Sequence, residues 1–85
     1  MPKSVFTDAY ASFLAVLISA RKRQGVSQAE LAKRLGREQP FISLIERGVR
    51  RIDVIEFYAI AKALGVSPES LFADVVKAMP ERVEI

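Results

Sequence analysis

Eighty-five residues, 51% of them apolar, suffice for one packed domain, expected to span residues 1–85, and leave little room for a second. The chain has no cysteine and no histidine, which excludes disulfides, thiolate metal sites and cysteine nucleophiles and removes the commonest general base. The net charge of +3 is unevenly spread: residues 21–51 carry nine basic groups against three acids, whereas residues 52–85 carry three against six. The first twenty residues balance Lys3 against Asp8. A basic centre beside an acidic half is what a polyanion-binding face requires, although on composition alone a solvated surface is the favoured explanation. The apolar stretch from Phe13 to Ala20 follows Asp8 rather than a basic run and is broken by Ser19, so it does not read as a signal peptide. No segment approaches the ~20 apolar residues that span a bilayer, and a cytoplasmic location is expected.

Five helices are predicted in chain order. The first, from about Thr7 to Gln24, places Tyr10, Phe13, Leu14, Leu17, Ala20 and Arg21 on one face, with Val16 and Ile18 widening it. The second runs from Gln28 to Leu35, behind a Ser27-x-x-Glu30 capping box, and presents Leu31, Ala32 and Leu35. The third, Gln39 to Arg47, presents Ile42 and Ile45, with Pro40 in its first turn, where the missing N–H costs little. The fourth, Val54 to Leu64, starts behind Asp53 and Glu56 and presents Phe57, Ile60, Ala61 and Leu64. The fifth starts at Ser67-Pro68 and runs to Met79 before Pro80. The glycines fall just past successive apolar-periodic segments, where helices end in the left-handed conformation. No strand pattern, repeat or long linker interrupts this all-α reading.

The second and third helices are short and joined by about three residues around Gly36. Such a turn makes the helices meet steeply, with Ala32 at their closest approach and Leu35, Ile42 and Ile45 beneath them. That is the geometry of a helix-turn-helix, in which the second helix enters the major groove of DNA.

The stretch G-V-S-Q-A-E-L-A-K-R-L-G-R-E-Q-P-F-I-S-L-I-E-R-G, Gly25 to Gly48, followed by A-K-A-L-G-V-S, Ala61 to Ser67, resembles the phage repressor/Cro-type (xenobiotic-response-element) helix-turn-helix family. The resemblance covers Leu17 to Phe72 and implies a compact, lambda-repressor-like five-helix domain. It places Gln39, Pro40, Ser43 and Leu44 at base-reading positions, and Gln28 on a phosphate and beside a recognition residue. It matches Arg21 and Glu46 to a partly buried ion pair, which explains a carboxylate otherwise badly placed at a helix C-terminus. Arg50 and Arg51 correspond to a basic loop along the DNA backbone.

Chemistry refines these assignments. Gln39 can bond adenine N6 and N7 together, Ser43 can donate or accept at any base edge, and Pro40 and Leu44 offer apolar contact alone. Arg37, Arg47, Arg50 and Arg51 are expected on phosphates, with solubility as the plainer role. Phe41 either wedges near the groove or packs on a neighbouring loop, packing being the expected outcome. Direct readout is therefore thin, and DNA shape is expected to contribute.

On the fifth helix Leu71 and Val75 are expected to pack inward. Phe72, Val76 and Met79 form a second stripe for a homodimer on a pseudo-palindromic operator; the other arrangement is burial against the first helix. The expected function is sequence-specific double-stranded DNA binding by a transcriptional regulator, most simply a repressor, with no cofactor, no metal and no membrane. An antitoxin-like protein-interaction module that autoregulates its operon is the alternative, its protein partner unknown. An enzyme has almost no support in this composition. A helix-turn-helix that has lost DNA binding would have no need of the basic centre.

Overall fold

The computed structural model describes residues 7–85, so Lys3 lies outside the described residues. Five helices follow one another: α1 (Asp8–Arg23), α2 (Gln28–Arg34), α3 (Gln39–Glu46), α4 (Val54–Leu64) and α5 (Pro68–Ala78). No strand occurs among the described residues.

Local chemistry fixes most helix starts. Thr7, Ser27, Asp53 and Ser67 each accept a hydrogen bond from a backbone N–H three residues on, satisfying a donor that has no partner within the helix. The Asp53–Glu56 box is complete, since the Asp53 N–H also donates to Glu56 Oε1 at 3.0 Å. The expected Ser27–Glu30 box is only half made. The Glu30 N–H reaches Ser27 Oγ, but the Glu30 carboxylate turns to Arg34 one helical turn on, at 3.0 Å. There an opposite charge at i, i+4 competes with a backbone amide.

The α2–α3 turn shows how a helix is stopped. Gly36 takes φ +70°, a region costly for any side chain. Its N–H donates to the Lys33 carbonyl at 3.0 Å, and the Arg37 N–H reaches back to Ala32 at 2.8 Å. These bonds satisfy carbonyls that the helix end would leave bare. They also turn the chain sharply enough for α3 to pack on α2.

The core contains Tyr10, Leu14, Leu17 and Ala20 of α1, Leu31 and Ala32 of α2, Ile42 and Ile45 of α3, Phe57, Ile60, Ala61 and Leu64 of α4, and Leu71 and Val75 of α5. α2 packs chiefly on α3, and α1 on α5. Phe13, Val16, Leu35 and Phe41 are half-buried against this cluster. Burial stabilises each large apolar side chain by about 1.5–3 kcal/mol, which is what holds helices as short as α2 and α3 in place. Tyr10 does more than pack: its hydroxyl accepts the Ile52 N–H at 3.2 Å, anchoring the loop before α4.

On α5, Leu71 and Val75 point inward as expected. Phe72 and Val76 are 54% and 56% exposed, which excludes full burial against α1. Met79 departs from the expected stripe. The helix ends at Ala78, Met79 takes extended backbone angles, and its side chain packs against the core rather than standing out beside Val76.

Candidate nucleic-acid interface

A chain of hydrogen bonds runs from the core to the exposed end of α3. Arg21 is buried on the apolar face of α1, where its Nη1 donates to the Val26 carbonyl at 2.8 Å. Its Nε and Nη2 donate to the two oxygens of Glu46, at 2.7 and 3.0 Å. Both side chains are about one-tenth exposed, so the fork geometry and the extra carbonyl bond are needed to offset desolvation. No buried side-chain polar atom lacks a partner among the described residues.

The ion pair also orients what lies outside it. A carboxylate only accepts, so Gln28 turns its amide nitrogen to Glu46 Oε1, at 2.9 Å. The Gln28 oxygen then faces Gln39, which donates its own Nε2 at 2.7 Å. One hydrogen of that Nε2 is therefore engaged. The second, and the side-chain oxygen, remain for a group outside the protein. This is the donor–acceptor pair that adenine N7 and N6 complement.

Gln39 and Pro40 are exposed, while Ser43 and Leu44 are half-buried. Gln39 and Ser43 share a face at i, i+4, as do Pro40 and Leu44 on the adjoining one. The structure thus groups the four expected base-reading residues along one side of α3. Arg37 and Arg47 are exposed at its two ends. Ahead of α3, Glu38 gives no side-chain cap, Pro40 has no N–H to offer, and the Phe41 N–H donates to the Glu38 carbonyl at 3.0 Å.

In the loop after α3, where at least one of Arg50 and Arg51 is expected on phosphate, the two arginines are held differently. Arg50 folds back on the protein: Nη2 donates to Glu56 Oε2 at 2.8 Å and Nη1 to Glu56 Oε1 at 3.1 Å. Nη1 also reaches the Arg51 carbonyl at 2.9 Å. The hydrogen bonds from Arg50, with help from the Asp53 N–H, hold the Glu56 carboxyl below its usual range. Bonding to Glu56 raises Arg50 in turn. Arg50's charge is therefore largely matched within the molecule. Arg51 is exposed, with its guanidinium 4.1 Å from the centroid of the Tyr10 ring.

Sequence reasoning missed two features. Phe41 packs as expected, but its ring also carries two guanidinium groups, Arg37 at 4.1 Å and Arg50 at 4.8 Å from its centroid. An arginine four residues before an aromatic was the available signal. The other feature is apolar surface on α4. Val54 and Ile55 are more than 70% exposed and Tyr58 is 54% exposed. Val54 also borders an open groove of about 600 Å³, lined by Tyr10, Phe13, Phe57, Phe72 and Met79 among others. Val54 and Ile55 open a helix without serving its core face, a signal readable in the sequence. No described helix is long and apolar enough to cross a membrane.

The helix-turn-helix family profile matches residues 17–71. An uncharacterized HTH-type transcriptional regulator of Sinorhizobium fredii is 45% identical over 47 residues, 55% of this chain and 61% of that protein. Another from Mycobacterium tuberculosis is 43% identical over 54 residues, 64% of this chain and 39% of that one. The chain thus spans less than two thirds of the length of these curated relatives. Among solved structures, an XRE-family-like protein from Pseudomonas syringae superposes with a TM-score of 0.77 at 40% identity, covering 85% of this chain and 88% of that one. A hypothetical transcription factor from Neisseria gives 0.68 at 27% identity, covering 93% and 97%. The chain belongs to the phage repressor/Cro-type (XRE) helix-turn-helix family.

Proposed function

We propose that the chain binds double-stranded DNA sequence-specifically as a transcriptional regulator, with α3 in the major groove. The observation that carries this reading is the relay Arg21–Glu46–Gln28–Gln39. It ends in an exposed amide whose orientation is fixed before any ligand arrives, and pre-oriented groups lose less entropy on binding. Gln39 reads a base, Ser43 adds an adaptable hydrogen bond, and Pro40 and Leu44 supply apolar contact, for example to a thymine methyl. Gln28, Arg37, Arg47 and Arg51 meet phosphates and fix the register.

The chain acts as a homodimer, through Phe72 and Val76 with Met79 at the edge of the groove, on a pseudo-palindromic operator. Half-sites then lie one helical turn, ~34 Å, apart. Occupying a promoter in this way blocks transcription, so repression is the expected effect. Equilibrium selection from a random duplex pool at two salt concentrations tests the reading. A twofold-symmetric motif with salt-sensitive affinity supports it, and absence of enrichment with no binding at low salt overturns it.

The exposed Val54, Ile55 and Tyr58 favour one competing reading, an antitoxin-like module whose apolar surface meets a different protein. A purified chain that stays monomeric at high concentration and on its selected duplex would move that reading to the front.

A further inference from the structure

The Phe41 ring sits in the first turn of α3, half-buried, with two guanidinium groups on it. A ring face attracts a cation through its quadrupole, more strongly where water is partly excluded. Two cations at one ring also repel each other, so something must distinguish them. Glu56 does. It binds Arg50 through both carboxylate oxygens and lies near enough to Arg37 to respond to its charge. Arg50 is further fastened by the Arg51 carbonyl. Arg37 is exposed and lies closer to the ring than Arg50 does.

We propose that Phe41 and Glu56 are positioning residues that select which arginine meets the DNA backbone. The ring holds Arg37 outward as the phosphate contact, and Glu56 retains Arg50 against the protein as a strut between α4 and the recognition helix. This rests on the DNA-binding reading above and adds to it a control on the number of phosphates the protein neutralises.

Glu56→Gln separates charge from structure. Glutamine keeps the reciprocal bond of a capping box, so α4 still starts at Val54, but Arg50 loses its counter-charge and is released toward the DNA. Each added phosphate contact steepens the dependence of log affinity on log salt by ~0.9. Glu56→Gln is therefore expected to bind any duplex more tightly at low salt, with about threefold extra loss of affinity between 50 and 200 mM salt. Phe41→Leu keeps an apolar residue in the turn and removes the ring face. It is expected to flatten the slope by the same ~0.9, and Phe41→Tyr to restore it. Arg37→Ala should flatten the slope, and Arg50→Ala should leave it unchanged.

The test is fluorescence anisotropy of the full chain against a labelled duplex of about twenty base pairs of unselected sequence, long enough for the ~10-base-pair turn between two half-sites. Salt is varied from 50 to 200 mM, and the melting temperature of each variant is recorded. A purely structural role for Phe41 or Glu56 would lower melting temperatures and leave the slopes alone. Slopes that move in the stated opposite directions in folded variants support the proposal. If Phe41→Leu fails to fold, Glu56→Gln, Arg37→Ala and Arg50→Ala decide it. Unchanged slopes in folded Glu56→Gln and Arg37→Ala, with the unmodified chain binding normally, overturn the proposal and leave the DNA reading intact. No binding by the unmodified chain at 50 mM overturns both.

Discussion

In the α2–α3 half, polar side chains are tied to one another from the buried Arg21 to the exposed Gln39. In the α4–α5 half, Phe72, Val76, Val54 and Tyr58 stand exposed on the surface. The first surface has its hydrogen-bonding groups set for a polar, charged ligand. The second leaves apolar area in water, and Val54 and Phe72 border the same open groove, the kind of apolar surface on which another protein docks. The charge follows the same division, basic over residues 21–51 and acidic over residues 52–85. An acidic half faces away from DNA more favourably than toward it.

The largest effect should come from breaking the first region at its buried end. Glu46→Ala leaves Arg21 charged and nine-tenths buried, and removing one partner of such a pair costs ~3–5 kcal/mol. Chemical denaturation measures this, and replacing both partners, Arg21→Met with Glu46→Leu, should recover most of the loss. Gln39→Ala acts at the other end of the relay. It should cost ~1–3 kcal/mol on the preferred duplex, with little change on unselected DNA or in folding, as competition binding would show.

The second region breaks differently. Phe72→Ser with Val76→Ser removes apolar area worth ~1.5–3 kcal/mol per side chain if buried in a dimer. Sedimentation equilibrium should show weaker self-association, and the melting temperature of the isolated chain should change little. The smallest effect is pH-dependent. The Glu56 carboxyl lies below its ordinary value of 4.5, so protonation is harder in the folded state. The stability this contributes is present above that value and is lost as pH falls through the depressed one. Compared with Glu56→Gln, the unmodified chain should lose extra stability as pH falls through that acid window, with the two stability curves running parallel at higher pH and below the window.

These outcomes bear on what the sequence can disclose. Helix ends were legible because their causes are local: Ser27, Asp53, Ser67 and Gly36 act on backbone groups within a few residues. The pairing of Arg21 with Glu46 came from family resemblance, supported by an arginine on an apolar face and an acid at a helix C-terminus. The bond from Arg50 to Glu56 was not legible, because Glu56 also closes a capping box and the sequence does not show one carboxylate serving both. Glu30 shows the converse, a box residue diverted to Arg34. Met79 follows the period of α5, but the helix stops one residue short of it and its side chain lies half-buried against the core, at the edge of the groove. Val54, Ile55 and Tyr58 went unremarked because the periodic core face of α4 satisfied the helix without them.

The division between a DNA face and a partner face is tested most directly by the number of chains bound per selected duplex. Sedimentation of the complex would be measured for the unmodified chain and for Phe72→Ser with Val76→Ser. The account predicts two chains per duplex for the first. For the second it predicts stepwise, weaker binding of single chains with the same base preference. A variant that still binds as a pair, or that loses base preference together with pairing, would contradict it.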